Sequence, residues 1–565
     1  MLLSHQDSLS PKVKNVTVPG GWIFLLAVIF MAIICFLPGL NSFGALDPTD
    51  SFFLEVSREM VECHHYITAL FNYNDWLDKP TLPFWLIIIA YKLLGVSAWA
   101  GRLYAAFSGI ILVIATYFFA LRMIGRRAAI LSAVILCTSP LFLIVGHVAL
   151  SDEFLSMLFG ISMLYIGTAL ATDKGKVSLF AYVFLGLAIL AKGPIALVLA
   201  LGSIGLYLIV VSDSWNKAKE QLLLLRPLTG MIILLLLCLP YYYCAHVVTS
   251  GAFTEQFFLR QNIGRMEGTI NHHEPIWFYL PVFLAGYFPW SFYLLSGMPW
   301  LKRLFTFRFQ LTQRQRFIIF SFCWLLFVAF LFTLVPTRLP TYIVPFSPAL
   351  AIITAAYLDA LIQAKANKTL AINASGMRRA ENIMILLPPL LAAFGSLITL
   401  GLIIGWQILT GTFLVIIGST LIIIAVLSLR SFWLLWAQQY TKGMVSVCLV
   451  SIFACAILVP SSFQWFYNNR QAMIMRIISV IKERNGSVAT LFSPVPSTIF
   501  YLHHQVPNID SLAQLPAFCQ AGKMPHFLLA SRNCLKIPAL EAKNHTIASD
   551  GKWYLLSVDG FPWRK

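Results

Sequence analysis

Residues 22–40 form an almost uninterrupted apolar run, and comparable runs recur as far as residue 465. At 1.5 Å of rise per residue, about 20 such residues cross a hydrocarbon core of roughly 30 Å. A chain built this way has few alternatives to a stack of membrane-spanning helices, because backbone polar groups in lipid must be satisfied within each segment. Composition agrees: 59% of the 565 residues are hydrophobic and only 11% are charged, too apolar for a soluble globular protein. The fold class expected is a polytopic α-helical membrane protein. The net charge of +17 is spread over short loops between apolar runs rather than gathered in one patch. Membrane topology and membrane lipids therefore explain it better than a nucleic-acid partner.

Hydropathy places spans near 22–40, 102–121, 128–148, 154–171, 178–191, 195–211, 228–245, 278–299, 317–335, 341–362, 383–405, 411–429 and 444–465, about thirteen crossings. The first span is read as a retained anchor rather than a cleaved signal. Residues 82–95 are apolar but short, and they are laid in the interface rather than across the bilayer. The basic clusters Arg122/Arg126/Arg127, Lys174/Lys176, Lys217/Lys219/Arg226, Lys302/Arg303/Arg308/Arg314/Arg316 and Lys365/Lys368/Arg378/Arg379 then share one side. By the positive-inside rule that side is the cytoplasm. The loops 41–101 and 246–277, the junctions at Asp152/Glu153 and Lys192, Arg338 and the tail fall outside. An enzyme with an extracytoplasmic site is the reading that follows.

From about residue 466 the character changes. A helix-like stretch at Met473–Glu483 precedes apolar runs Ser487–Phe492, Phe527–Ala530 and Trp553–Val558, with a hairpin turn expected at Asp550–Gly551. Residues 1–465 are therefore expected to form the membrane domain and 466–565 a small extracytoplasmic α/β domain. His503 and His504 are read as surface residues of that domain. Most cysteines lie in apolar runs and pack there, while a disulfide between Cys519 and Cys534 is left open.

The first loop carries LDPTDSFFLEVSREM. Asp50, with Asp47 as the alternative, is expected to act as general base or to orient an acceptor hydroxyl, and either residue is equally placed to cap a helix. Asp152 is the second acidic candidate, with Glu153 as its competitor, and it too could cap a helix beginning at Phe154. Lys79, Lys192, Arg260, Arg265 and Arg338 are the cations available for an anionic substrate, and Tyr342 joins that set. His272, His273 and Asp78 are candidate ligands for a divalent metal, although sequence alone does not complete a coordination set. The absence of a GxGxxG or P-loop pattern argues against a nucleotide site.

LDPTDSFFLEVSREM resembles the first-loop motif of bacterial aminoarabinose transferase-like and protein O-mannosyltransferase-like membrane glycosyltransferases. DKPTLPFWL at Asp78–Leu86, GRL at Gly101–Leu103, SDEFLSM at Ser151–Met157, LAKGPIAL at Leu190–Leu197, the stretch Phe257–Trp290 and RLPTYIVPFSPALA at Arg338–Ala351 continue the resemblance in order. Asp50 stands where many relatives carry Glu, and Arg338 where many carry Lys. The resemblance implies a GT-C-type bundle with an extracytoplasmic first loop. It also implies transfer of a sugar from a polyprenyl (undecaprenyl) phosphate donor to lipid A, another envelope glycan or a protein, at the outer face of the bacterial inner membrane. With one carboxylate as base and direct attack, the anomeric centre inverts. No cofactor is required by that chemistry, with a divalent metal left open. A polytopic lipid or sugar transporter is the rival from another class, although no internal repeat is visible.

Overall fold

The computed structural model describes residues 21–172, 176–263, 274–306, 311–366, 375–405, 411–470, 472–520, 525–531, 546–549 and 553–558. At its centre the helix Ser151–Ala171 is buried on all sides, packed against Ala98–Ile124, Phe180–Lys192, Gln313–Leu334 and the 3-10 segment Pro340–Phe346. Its sequence permits this because it has no charged face past the first turn and carries small residues at the crossings. A Cβ at Gly167 would lie 2.5 Å from the Phe320 ring, and one at Gly160 would lie 2.8 Å from Leu112. Small residues at such crossings let helices approach closely where lipid gives no hydrophobic drive for association. The hydroxyls of Ser156 and Thr168 donate to carbonyls one turn back, so these two buried side chains are satisfied within the helix. Pro227–Val248 is the opposite case, apolar all round and exposed along nearly its whole length, as a lipid-facing helix should be.

Among the described residues, eight helices are long and apolar enough to cross a membrane, and four shorter apolar helices accompany them: Gly21–Phe36, Leu82–Leu94, Phe180–Lys192 and Ile195–Val211. The chain is thus a multi-pass helical membrane protein. Two of the expected spans are not continuous helices. The stretch 128–148 divides into Arg126–Cys137 and Pro140–Val145, because Ser139 is extended ahead of a proline that cannot continue the hydrogen-bond ladder. The stretch 278–299 divides into Tyr279–Gly286 and Trp290–Ser296, broken before Pro289, and a third short helix, Met298–Thr306, follows. Residues 82–95 form the single short helix Leu82–Leu94.

The first loop is itself folded. Its helix Thr49–Glu62 packs Phe53 on Phe84, with ring centroids 4.9 Å apart, and leads into a hairpin of β1 (Ala69–Phe71) and β2 (Asn74–Trp76). Asn72 and Tyr73 turn that hairpin with φ of 54° and 62°, the left-handed pair of a tight two-residue turn. The C-terminal region is a five-stranded sheet of order β4-β3-β5-β7-β6, comprising Asn508–Ile509, Ser487–Leu491, His526–Ser531, Trp553–Ser557 and Thr546–Ser549. β3 pairs in parallel with β4 and β5, and β7 is antiparallel to β5 and β6. The expected turn at Asp550–Gly551 lies outside the described residues. Alternate residues of these strands face opposite ways: Val488, Phe527 and Leu529 pack on Ile474, Ile477, Ile478 and Ile481 of the helix Ala472–Arg484. Ala489, Leu528 and Ala530 pack on Leu515 instead.

Side chains of the first loop hold this region in place. Asp47 accepts from the Ser497 amide (2.9 Å) and its hydroxyl, and the Ala45 amide donates to the Tyr501 hydroxyl (2.8 Å). The Asn72 side chain both donates to the Val506 carbonyl (2.8 Å) and accepts from its amide (2.9 Å). Val506 is fully buried, so losing that partner strands two backbone groups. Asn72→Ala is expected to destabilise the protein by roughly 1–3 kcal/mol, the penalty for unsatisfied buried groups. Thermal unfolding of the detergent-solubilised protein checks this, and an unchanged midpoint would contradict it.

Candidate functional site

Asp152 lies in the first turn of Ser151–Ala171, and Lys192 is the last residue of Phe180–Lys192. Gly193, with φ of +97°, ends that second helix, and a Cβ there would meet the Phe257 ring at 2.6 Å. A carboxylate at a helix N-terminus and an ammonium at a helix C-terminus each complement the local dipole. Here they also meet: Lys192 Nζ lies 2.5 Å from Asp152 Oδ1. The same ammonium stands 4.8 Å from the centroid of the Tyr342 ring, which is carried on the 3-10 segment Pro340–Phe346. Three of the residues singled out from sequence therefore converge. Asp152 does not cap a helix beginning at Phe154; the helix starts three residues earlier, and its cap position is Leu150.

Asp50 sits beside this cluster but is differently engaged. Its carboxylate takes Arg102 Nη2 at 2.6 Å and Nε at 3.1 Å, together with the amides of Leu46 (3.0 Å) and Ala149 (2.7 Å). Ala149 precedes Asp152 by three residues in the chain, so the two carboxylates belong to one polar end of the bundle. Arg102 uses its remaining N–H groups on the carbonyls of Leu40, Phe43 and Gly44. Neither Asp50 nor Asp47 is the cap of the first-loop helix, whose cap position is Pro48. Asp47 is occupied by Ser51 and Ser497.

The other candidates lie as follows. Lys79 Nζ stands 4.7 Å from the Phe53 ring centroid and 5.9 Å from that of Trp76, and Asp78 accepts from Gln256 (2.8 Å). Arg338 donates to the carbonyls of Glu274 and Thr333. Arg260 is exposed, 3.7 Å from Glu255. Glu153 is fully buried, and its carboxyl has no hydrogen-bond partner among the described residues. Arg265, His272, His273 and Cys534 lie outside the described residues. Among those described, no group of three metal-ligating side chains occurs.

Sequence reasoning did not single out Arg102 or a second buried network on the first-loop helix. Glu55 and Arg58 pair at 2.7 Å, Arg58 also reaches Glu62, and Glu59 accepts from the amides of Asn72 (2.9 Å) and Tyr73 (2.8 Å). The i,i+3 and i,i+4 spacing of Glu55, Arg58 and Glu62 was the available signal. Burial and the neighbouring Glu55 push the Glu59 carboxyl up to about 8, against the pull of the Tyr73 amide and Arg58.

Two outcomes follow. Arg102→Met leaves the Asp50 charge buried without its partner and is expected to lower stability by roughly 3–5 kcal/mol. Thermal unfolding measures this, and the double variant with Asp50→Leu should recover part of the loss. Because the raised carboxyl of Glu59 binds a proton more tightly in the folded state, its contribution to stability is full below about 4.5. That contribution is lost as pH rises through about 8. Glu59→Gln should therefore flatten the fall in thermal midpoint across that window; an unaltered slope would contradict the assignment.

Comparison with known proteins agrees with the motifs. Residues 78–243 match the family model described as dolichyl-phosphate-mannose-protein mannosyltransferase. An uncharacterized protein of Aquifex aeolicus is 29% identical over 60% of this chain, and the undecaprenyl phosphate-alpha-4-amino-4-deoxy-L-arabinose arabinosyl transferase of Serratia proteamaculans is 28% identical over 63% of it. The chain spans 64% and 62% of the length of those two relatives. In fold, the crystal structure of ArnT from Cupriavidus metallidurans bound to undecaprenyl phosphate superposes with a TM-score of 0.72 at 18% identity, covering 97% of this chain and all of that one. An archaeal oligosaccharyltransferase from Archaeoglobus fulgidus superposes less closely, with a TM-score of 0.53 at 10% identity over 97% of this chain and 76% of that one. By motif order, family match and architecture together, the chain is similar to the aminoarabinose transferase-like and protein mannosyltransferase-like membrane glycosyltransferases, with the GT-C-type fold.

Proposed function

We propose that the protein is an inverting glycosyltransferase of the bacterial inner membrane. It moves a sugar from a polyprenyl phosphate carrier to lipid A or a related envelope glycan on the extracytoplasmic side. The observation that carries this reading is the meeting of Asp152, Lys192 and Tyr342 at helix ends, close to Asp50, in a fold of this kind. A charged pair buried at the edge of a bundle marks a polar substrate path. The names of the similar proteins supply the chemistry such a path would serve.

Orientation is supported by the far end of the bundle. Arg314 and Arg127, from two of the loops assigned to the cytoplasm, converge on the buried Asp359 at 3.0 Å and 3.6 Å. Two basic clusters widely separated in sequence thus share one end, as the positive-inside rule requires. The first loop and the C-terminal sheet, held together by Asp47, Asn72 and Tyr501, are assigned to the outer face.

In the reaction, the acceptor oxygen bonds to the anomeric carbon as the bond from that carbon to the phosphate oxygen breaks. The electron pair leaves with the phosphate, and the acceptor proton passes to a carboxylate. Asp50, whose lone-pair sites are taken by Arg102 and the amides of Leu46 and Ala149, fixes the negative field and the shape of this end rather than binding the acceptor. Asp152, with one oxygen bound by Lys192, retains capacity to take the proton. Lys192, with Lys79 and Arg338 as further cations, stabilises the charge that develops on the departing phosphate. The step needs no cofactor; loss of turnover on chelation of divalent metal would bring Asp78, His272 and His273 into it.

Purified protein supplied with a polyprenyl-phosphate sugar and lipid A tests the assignment. Lys192→Ala is expected to lower kcat by about 10²–10³, in the range for loss of one preorganised donor. Asp152→Asn is expected to lower it by about 10²–10⁴. Turnover unchanged in both variants would remove the pair from the mechanism, and a product carrying the sugar on protein alone would move the acceptor to the mannosyltransferase-like alternative.

A further inference from the structure

A groove of about 410 Å³ runs along the seam between the first loop, the start of the helix Ala98–Ile124 and the C-terminal region. Its walls come from four separate parts of the chain: Trp99, Tyr467 and Tyr501 supply aromatic rings, and Asn41 supplies an amide. The volume falls within the range of small-molecule sites, roughly 300–1,000 Å³.

The groove is shaped by a close approach. A Cβ at Gly44 would lie 2.4 Å from the Tyr467 hydroxyl and 2.5 Å from that of Tyr501, so a larger residue there would displace both tyrosines from the loop. Beneath it, the Arg102 guanidinium carbon stands 3.7 Å from the Phe43 ring centroid, and Arg102 Nη2 donates to the Gly44 carbonyl while holding Asp50. One layer of side chains therefore separates the groove from the polar end that carries Asp50 and Asp152. The Ser97 hydroxyl is buried, has no hydrogen-bond partner among the described residues and does not cap the helix it precedes.

The chemistry of the lining selects a ligand class. Among the described residues, no lysine, arginine, aspartate or glutamate lines the groove. Its histidine, His503, is held below the usual value by partial burial and by Arg58 nearby, so it is neutral at neutral pH. A phosphate or an ammonium would find no counter-charge. Flat aromatic faces beside hydroxyl and amide groups suit an uncharged sugar ring, which presents apolar C–H faces and a rim of hydroxyls. Val96, exposed in the wall of the groove, gives it an apolar border.

We propose that the seam groove is the subsite for an uncharged sugar ring in the headgroup of a membrane-anchored acceptor, distinct from the cationic end that receives the donor phosphate. This rests on the glycosyltransferase reading above.

The test uses the full chain in lipid nanodiscs and the neutral disaccharide of N-acetylglucosamine as probe, read by saturation-transfer NMR. Binding is expected in the wild type, weakened about tenfold by Trp99→Ala, as the loss of one aromatic contact of roughly 1.4 kcal/mol would give. Ala98→Trp, which fills the groove and removes no contact, should abolish it and guards against a misfolded Trp99 variant. In the transfer assay both variants should raise the acceptor KM with little change in the donor KM. No binding by the wild type, binding indifferent to both substitutions, or preference for the phosphorylated disaccharide would overturn the proposal. Groove binding with no sugar transfer from any polyprenyl phosphate would instead overturn the enzymatic reading and leave the sugar site standing.

Discussion

The buried pair Asp50–Arg102 is the contact on which the polar end of this protein depends. Arg102 lies in the helix Ala98–Ile124, is wholly removed from solvent, and directs its N–H groups to Asp50 and to the carbonyls of Leu40, Phe43 and Gly44. Asp50 completes its own shell with the amides of Leu46 and Ala149. Charges are tolerated at such depth only when every donor and acceptor is met, and here nearly all the partners are backbone groups. The pair therefore fixes the path of residues 40–46, the start of the first-loop helix and the segment leading into Asp152. The last two bring in Asp50 and Asp152, so the relative positions of these carboxylates follow from one electrostatic requirement.

The second requirement is that chemistry-bearing side chains sit on rigid elements. Asp152 and Lys192 are at helix ends, and Tyr342 is on a short 3-10 turn locked between Gln313–Leu334 and the helix Ser347–Ala366. The dipoles of two helices favour the charges they carry, and the salt bridge joins the two termini. The Glu55–Arg58–Glu62 network does similar work one layer out, where it ties the helix Thr49–Glu62 to the hairpin through Tyr73. The C-terminal sheet then closes over this surface, its helix Pro496–Leu502 meeting Asp47 and Ala45.

Much of this was legible in the chain. Long spans such as Gln313–Leu334 announce themselves because 20 or so apolar residues in a row have one stable outcome in lipid. The strands beginning at Ser487, His526 and Trp553 were readable from short apolar runs between turn residues, whereas β4, two residues long, offers no pattern to detect. Breaks at Pro140 and Pro289 were hidden because hydropathy does not respond to a missing N–H inside an apolar run. Asp152 and Lys192 were singled out as charges at membrane edges, but their pairing joins residues 40 apart and has no local signature. Arg102, quoted within the GRL motif, was given no role for the same reason, being 52 residues from its partner within a helix that otherwise reads as a span. The turn at Asn72 lies between strands of only three residues, too short for alternation to register.

The most direct test of the polar end as a phosphate site is an experimental structure of the protein with a polyprenyl phosphate bound. The phosphate should lie within about 3 Å of the Lys192 ammonium, with Asp152 and Tyr342 at its side. A phosphate bound away from Lys192, with the Asp152–Lys192 pair unchanged, would contradict the role assigned to this end of the bundle.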